Sequence, residues 1–187
     1  MALLPAAWNP PTRAHLALAE AALAIVPEVL LTLPAALPHK RHEWTSVETR
    51  ARWLLKLTDT RPRIGCAISA GGLFLEMARE VRAEAGDDVG RIYVVCGRDA
   101  AERFLAWNYS DGPDVAEQLR EFSLLVAPRG GAIEAQAHLR ASIRSLQLDR
   151  DWEDVSSTEI RTRIASGVEW RHLVPEELTE EAARAYR

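Results

Sequence analysis

Short apolar runs alternate with amphipathic stretches along most of the chain. The apolar runs are typical of buried parallel strands, whereas the stretches between them repeat apolar residues every three or four positions, as helices do. We predict strands over residues 2–7, 28–33, 64–69, 91–96, 122–127 and 145–148. This order of elements predicts an α/β fold, a single doubly wound (Rossmann-like) parallel sheet with helices on both faces.

The helices follow from start and stop signals. Pro27 ends the first helix, and Thr45 with Glu48 forms a capping-box pattern ahead of the second. We predict helices over residues 13–25, after Thr45, over 71–85, and at the end of the chain over 157–166 and 176–186. Because no linker, repeat or low-complexity tract interrupts the pattern, we predict one domain over residues 1–187.

Composition and charge narrow the class of protein. The chain has 187 residues, enough for one core, and no apolar run reaches the roughly 18 residues of a membrane span. The first five residues carry no basic stretch, so we predict no signal peptide and a cytoplasmic protein. Cys66 and Cys96 lie in apolar runs and are interpreted as buried, reduced thiols. A net charge of −4 argues against broad nucleic-acid binding, but it leaves room for a local anion pocket.

Ligands of doubly wound sheets bind beyond the carboxyl ends of the strands, so the segments that follow the strands are the candidates for a site. After the first strand, Thr12 is placed to cap a helix, which puts His15 in its first turn. Backbone N–H groups without partners make such a turn suitable for phosphate, and a histidine there can donate to phosphoryl oxygens. The alternative is an ordinary surface histidine near a helix start.

A second helix start lies near the other end of the chain. Ser156 and Glu159 match a capping box, and Arg161 follows early enough in the helix to reach an anion at its N-terminus. The alternative is a plain capped helix.

Two further segments could contact a nucleotide. Gly97 follows a strand and lets a ligand approach the backbone, Asp99 could accept bonds from ribose hydroxyls, and Trp107 offers a face for ring stacking. The alternative is a helix cap followed by a core tryptophan. Residues 38–42 form a basic loop suited either to phosphate recognition or simply to solvent.

Together these segments resemble the nicotinate and nicotinamide mononucleotide adenylyltransferases of the HxGH nucleotidyltransferase superfamily. Residues 6–15, AAWNPPTRAH, resemble the family's phosphate motif G-S/T-F-D/N-P-x-H/T-x-x-H, and residues 155–161 resemble its I-S-S-T-x-I-R signature. Residues 38–40 with Arg50 resemble its P-H-K…R stretch, and residues 97–99 with Trp107 resemble its G-x-D…W element.

The resemblance implies an enzyme that transfers the adenylyl group of ATP, supplied with Mg²⁺, to a pyridine mononucleotide and releases pyrophosphate. It implies catalytic roles for three residues, His15, Thr12 and Arg161. It implies ATP contacts for Ala7, Trp8, Asn9, Gly97, Asp99, Ser156, Ser157 and Thr158. It implies acceptor contacts for Lys40, Ser69 and Trp107, no protein metal site, and a possible homo-oligomer.

The chain departs from the family pattern at three places, of which the first and the last motivate an alternative function. Ala6 and Ala7 replace the glycine and Ser/Thr of the phosphate motif, and Thr12 replaces its first histidine, as it does in the eukaryotic-like branch. Residues 69–72, SAGG, stand where bacterial members have an S-Y/W-T stretch that binds nicotinate. The alternative is therefore a nucleotide-binding regulator or degenerate paralogue without turnover. The choice between nicotinate and nicotinamide stays open.

Overall fold

A single parallel sheet organises the chain. The structure, a computed structural model, describes residues 1–35, 45–108, 112–127, 133–152 and 154–186. In these ranges six strands pair in parallel in the order β3-β2-β1-β4-β5-β6. They are β1 Ala2–Pro5, β2 Val29–Pro34, β3 Ile64–Ser69, β4 Ile92–Gly97, β5 Phe122–Ala127 and β6 Ile143–Ser145. The predicted doubly wound sheet is confirmed, although β6 lies two residues before its predicted start.

Helices cover both faces of the sheet. They are α1 Arg13–Leu23, α2 Val47–Thr58, α3 Phe74–Ala85, α4 Arg98–Ala106, α5 Val115–Glu121, α6 Ser157–Ala165 and α7 Thr179–Ala185. α5 was not predicted, and α4 was anticipated only by the alternative interpretation of residues 97–99 as a helix cap. α4 begins directly after the end of β4, so no polar loop separates the two elements in the sequence and marks the start of the helix. α5 has only seven residues, although Asp114 and Glu117 form a capping box at its start.

Two helix starts differ from their predicted positions. α2 is capped by Ser46, whose hydroxyl accepts from the backbone N–H of Thr49, so the predicted Thr45–Glu48 box was wrong by one residue. Thr45 uses its hydroxyl elsewhere, as described below. The last helix begins at Thr179 because residues 176–178 form a 3₁₀ turn.

Alternation along the strands builds a core on each face of the sheet. Leu4 of β1 and Leu33 of β2 pack on one face with α1, α2, α6 and α7, whereas Leu3 of β1 packs on the other with α3, α4 and α5. On that second face Phe74, Phe104 and Phe122 form a cluster with ring centroids 5.7 to 6.4 Å apart. Because successive strand residues point to opposite faces, the continuous apolar runs of the sequence are what a sheet covered on both sides requires.

The two cysteines differ in burial. Both thiols are free; Cys96 is buried, and burial raises its pKa to about 12, whereas Cys66 stays partly exposed. Within the described ranges, no helix has both the length and the apolar character that crossing a bilayer requires.

We expect Leu33→Ala to lower the free energy of unfolding by about 2–5 kcal/mol, because Leu33 is fully buried and its removal leaves a cavity. The matched control is Leu55→Ala on α2, where the side chain is 60% exposed and the change should stay within about 0.5 kcal/mol. Urea unfolding of both variants tests this. Similar losses in the two would contradict the assigned packing of β2.

Candidate functional site

The cavity that collects most of the predicted site residues, called the main cavity below, lies over the carboxyl ends of the central strands. It has a volume of about 560 Å³, and its floor includes Pro5 at the end of β1, Gly97 at the end of β4 and Ala127 at the end of β5. β1 and β4 are neighbours in the sheet, but the chain leaves β1 towards β2 and leaves β4 towards β5, in opposite directions. This is the switch point at which open α/β sheets bind ligands.

The loop after β1, residues 6–12 and called the phosphate loop below, places His15 at the cavity wall. Thr12 caps α1 as predicted: its hydroxyl accepts from the backbone N–H of His15 at 3.2 Å. In return, the backbone N–H of Thr12 donates to Nδ1 of the His15 ring at 3.0 Å, and the Thr12 hydroxyl lies 2.8 Å from the same nitrogen. Since a backbone N–H can only donate, Nδ1 is the acceptor, which assigns the hydrogen of the neutral ring to Nε2. His15 therefore presents a donor at the cavity wall.

The Trp8 side chain packs against the His15 ring. The indole is fully buried, its Nε1 donates to the carbonyl of Thr32 at 2.8 Å, and its ring lies 4.8 Å from the His15 ring. Trp8 has a φ of 55°, a left-handed conformation that is unusual for a large side chain and is found mostly at functional sites. The structure thus places Trp8 under the phosphate loop, outside the cavity lining in which an ATP contact would lie.

The second helix start meets the first. Ser156 caps α6 by accepting from the backbone N–H of Glu159 at 3.1 Å. One turn later, Arg161 donates from Nη1 to the carbonyl of Asn9 at 2.6 Å, and the Ser157 hydroxyl donates to the carbonyl of Pro10 at 2.8 Å. The starts of α1 and α6, distant in the chain, therefore face one cavity.

The electrostatics of the cavity suit an anion. Among the described residues that line it, none is Asp or Glu, while His15 and Arg161 offer N–H donors. Both helix N-termini add backbone N–H groups and the positive end of a helix dipole. A phosphorylated ligand fits this set of groups.

Most predicted nucleotide contacts lie at this cavity. Ala7, Asn9, Gly97 and Thr158 line it together with Ser156 and Ser157. A Cβ atom added to Gly97 would meet nothing within 4 Å. Gly97 therefore keeps space open above β4, where a ligand can approach the backbone.

Other predicted residues lie elsewhere. Asp99 is exposed on the first turn of α4, beside the cavity lining but outside it. Ser69 is buried under the start of α3, and its hydroxyl donates to the carbonyl of Gly71 at 3.1 Å, so it does not reach the main cavity. Lys40, with the rest of the basic loop over residues 38–42, lies outside the described residues.

Trp107 borders a second, smaller cavity. Its side chain is 52% exposed, so the core tryptophan considered as an alternative is wrong. The cavity has a volume of about 210 Å³ and includes Phe104 and Arg103 of α4. Phe74 and Ala100 line both cavities, so the two adjoin.

Two glutamates that the sequence analysis missed hold the loop after β3. The backbone N–H groups of Ala70 and Gly71 donate to the Glu80 carboxylate at 3.2 and 3.0 Å. Those of Gly72 and Leu73 donate to Glu76, both at 2.9 Å. Four successive amides of the altered SAGG region are thus satisfied inside the protein. The spacing of Leu73 and Glu76 fits a capping box, but without a polar residue at the first position the pattern is not recognisable in the sequence.

Arg50, Thr45 and Tyr186 form further hydrogen bonds to the phosphate loop that were not predicted. Arg50 is buried, which lowers its pKa from the usual value, and it donates to the carbonyls of Ala7 and Thr45, both at 3.0 Å. The hydroxyls of Thr45 and Tyr186 donate to Oδ1 of Asn9 at 2.7 and 2.5 Å. Nothing local in the sequence indicates these contacts.

Comparison with known proteins gives the family. Residues 3–163 match the family model described as cytidylyltransferase-like. The chain belongs to the cytidylyltransferase-like family. Across 192 residues it is 28% identical to the probable nicotinate-nucleotide adenylyltransferase of Salinibacter ruber (strain DSM 13855 / M31), covering 98% of this chain and 92% of that protein.

Solved structures share the fold of this chain. The chain is similar to Plasmodium falciparum nicotinic acid mononucleotide adenylyltransferase complexed with APC, with a TM-score of 0.70. The same enzyme complexed with NaAD gives a TM-score of 0.71. Each comparison covers 100% of this chain and 97% of that one at 10% sequence identity, which establishes likeness of fold.

We expect Ser157→Ala to destabilise the protein by about 1–3 kcal/mol, because the carbonyl of buried Pro10 loses its hydroxyl donor. Ser166→Ala, at the exposed end of α6, is the matched control and should cost about 0.5 kcal/mol or less. Urea unfolding midpoints provide the measurement. Equal effects would show that the bond between α6 and the phosphate loop contributes nothing to stability.

Proposed function

We propose that this protein transfers the adenylyl group of ATP to the 5′-phosphate of nicotinate mononucleotide, giving the deamido form of NAD and pyrophosphate. Nicotinamide mononucleotide is the alternative acceptor. The observation that carries the proposal is the meeting of the α1 and α6 starts over one cavity whose described lining has no carboxylate, through the bonds from Arg161 and Ser157 to the loop after β1. The names of the Salinibacter ruber relative and of the Plasmodium falciparum enzyme favour a pyridine-nucleotide acceptor.

The chemistry asks the protein for alignment and charge stabilisation. An oxygen of the acceptor phosphate attacks the α-phosphorus of ATP, the bond to the β-phosphate oxygen breaks, and pyrophosphate leaves. The attacking oxygen is already ionised, so no general base and no covalent intermediate are required. Donors aimed at the phosphoryl oxygens and a fixed geometry supply the catalysis.

The site residues divide this work. His15 donates from Nε2 to a phosphoryl oxygen, and Thr12 fixes the ring that does so. Arg161 has five N–H donors, of which the bonds to Asn9 and Thr158 use two, so the same guanidinium can bind a phosphate while it holds the loop. The hydroxyl of Ser157 is engaged with Pro10, so its contribution to phosphate binding is its backbone N–H at the start of α6.

The acceptor's ring belongs in the smaller cavity. Trp107 exposes a flat aromatic surface there, and the shared wall at Phe74 and Ala100 lets one ligand extend from the phosphates to that surface. Ser69 is not included in this part of the proposal because its hydroxyl faces Gly71. Acceptor contacts of Lys40, the cytoplasmic location and a homo-oligomer stay predictions.

ATP enters the reaction as its magnesium complex. The described residues contain no group of three or more His, Cys, Asp or Glu side chains placed to hold a metal ion, and the described cavity lining contains no carboxylate. Such surroundings fit an ion that is held by phosphate oxygens and water and that arrives with the nucleotide.

A nucleotide-binding regulator without turnover is the second candidate, favoured by the occupied amides of residues 70–73. Ala6 gives it less support, because the cavity that Ala6 lines still has a volume of about 560 Å³.

We expect the protein to release pyrophosphate and form a dinucleotide when it is incubated with ATP, Mg²⁺ and nicotinate mononucleotide. A parallel reaction with nicotinamide mononucleotide measures the acceptor preference. Pyrophosphate release coupled to a chromogenic reaction, with the dinucleotide identified by chromatography, is the measurement. Binding of ATP without product from either acceptor would establish the regulator instead.

We expect His15→Ala to lower kcat by on the order of 10²-fold, because it removes a donor to charge that develops in the transition state. His138→Ala is the control, since that histidine is exposed on a 3₁₀ turn far along the chain and should leave kcat unchanged. Thermal unfolding of both variants checks that the fold is retained. Wild-type turnover in His15→Ala would remove this residue from the mechanism.

A further inference from the structure

We propose that Tyr186, near the end of the chain, is a positioning residue for adenylyl transfer. Its hydroxyl orients Asn9 so that the side-chain NH₂ of Asn9 faces the main cavity. The inference rests on the proposed function. It assigns a role in that reaction to the residue that follows α7, the helix farthest along the chain from the phosphate loop.

Two hydroxyls converge on one oxygen. Tyr186 donates to Oδ1 of Asn9 at 2.5 Å across 177 positions of the chain, and Thr45 donates to the same oxygen at 2.7 Å. A side-chain amide oxygen has two acceptor lone pairs, so these two bonds fill it. Asn9 is 2% exposed, so its side chain is closely enclosed.

This pairing decides which end of the amide meets a ligand. The NH₂ group is the opposite end of the same planar unit. No side-chain nitrogen of the described residues is both buried and unpaired, so this group keeps some accessible surface, which we infer lies at the cavity that Asn9 lines. The orientation of an asparagine amide is assigned from its hydrogen-bond network. A hydroxyl can donate or accept, but a phenol is a stronger donor and a weaker acceptor than an alcohol, so the Tyr186 hydroxyl favours Oδ1 at this end of the amide. An N–H donor at this place can bind a phosphoryl oxygen, whereas the carbonyl oxygen would repel it.

The tyrosine stays a donor in the range where the enzyme would work. Burial is the largest effect on the phenol and raises its pKa to about 12, although the Thr45 hydrogen bond and the nearby guanidinium groups of Arg161 and Arg50 act in the opposite direction. At neutral pH the hydroxyl is therefore protonated and can donate to Asn9.

Other contacts hold α7 in place, so the hydroxyl is not needed for docking. The Tyr186 ring lies 6.3 Å from the ring of Trp53 on α2. Glu181 of α7 pairs with Lys56 at 2.7 Å, and Glu177 just before α7 pairs with Arg61 at 2.8 Å. Phenylalanine keeps the ring and leaves both ion pairs unchanged, so Tyr186→Phe removes only the hydroxyl, with its bond to Asn9 and its contact with the Thr45 hydroxyl.

The backbone of the same loop is held by different groups. Arg161 binds the carbonyl of Asn9, and Arg50 binds the carbonyl of Ala7. Tyr186 and Thr45 act on the side chain alone. The structure thus separates the placement of the loop from the orientation of the Asn9 amide.

We expect Tyr186→Phe to lower kcat by about 3- to 10-fold, the effect of one hydrogen bond, and to lower the melting temperature by no more than about 2–4 °C. Asn9→Ala should lower kcat by on the order of 10²-fold, and adding Tyr186→Phe to it should change kcat less than about 2-fold, because the tyrosine acts through Asn9. Glu181→Gln, which loosens α7 without touching Asn9, is the control and should keep wild-type kcat. Wild-type kcat in Tyr186→Phe, or an equal loss in both backgrounds, would overturn the role.

A second measurement is independent of turnover. The Asn9 side-chain NH₂ signal in a nitrogen–proton NMR spectrum is identified by its loss in Asn9→Ala. On adding α,β-methylene ATP we expect this signal to shift in the wild type and to shift less than half as far in Tyr186→Phe. No shift in the wild type, or the same shift in both proteins, refutes the positioning. If the wild type forms no dinucleotide but the NMR result holds, the proposed reaction fails and the orientation of Asn9 stands.

Discussion

The meeting of the α1 and α6 N-termini over one cavity depends on hydrogen bonds from α6 side chains to backbone carbonyls of the loop after β1. Once β1 ends, the carbonyls of Asn9 and Pro10 have left the sheet ladder, and buried carbonyls need donors. Arg161 and Ser157 supply them from 152 and 147 positions further along the chain. These bonds hold the N-terminus of α6 against the N-terminus of α1. Without them the two positive helix ends would not share one cavity.

The phosphate loop is hydrogen-bonded to α6, α2 and β2, which suits a site that must not reorganise during the reaction. α6 binds its carbonyls, Arg50 binds it from α2, and Trp8 anchors it to β2 through the carbonyl of Thr32. Donors that are already oriented cost no reorganisation when charge develops on a phosphoryl oxygen. The left-handed Trp8 fits this view, since a strained residue persists only where its surroundings determine it.

Local signals in the sequence were enough for much of this picture. The ranges of β3 and β5 were predicted to the residue, and Thr12 and Ser156 were recognised as caps, because strand periodicity and capping depend on residues close in sequence. What was missed is long-range. No local pattern distinguishes buried Trp8 from exposed Trp107, or shows that Tyr186 reaches Asn9, because both follow from how distant elements pack. The positions of Ser69 and Asp99 off the main cavity have the same origin.

The departures from the family pattern differ in physical weight. At Ala6 and Ala7 the backbone makes the contacts: the N–H of Ala6 donates to Thr32 and the carbonyl of Ala7 accepts from Arg50. A methyl group there is compatible with both bonds and leaves the cavity open. The loop after β3 is different, because Glu76 and Glu80 already satisfy four successive amides. A negatively charged ring substituent would meet two carboxylates there instead of available N–H groups. The proposed binding of the acceptor's ring would therefore depend mainly on Arg103 of α4 and on Trp107, which follows α4, because both border the adjoining cavity.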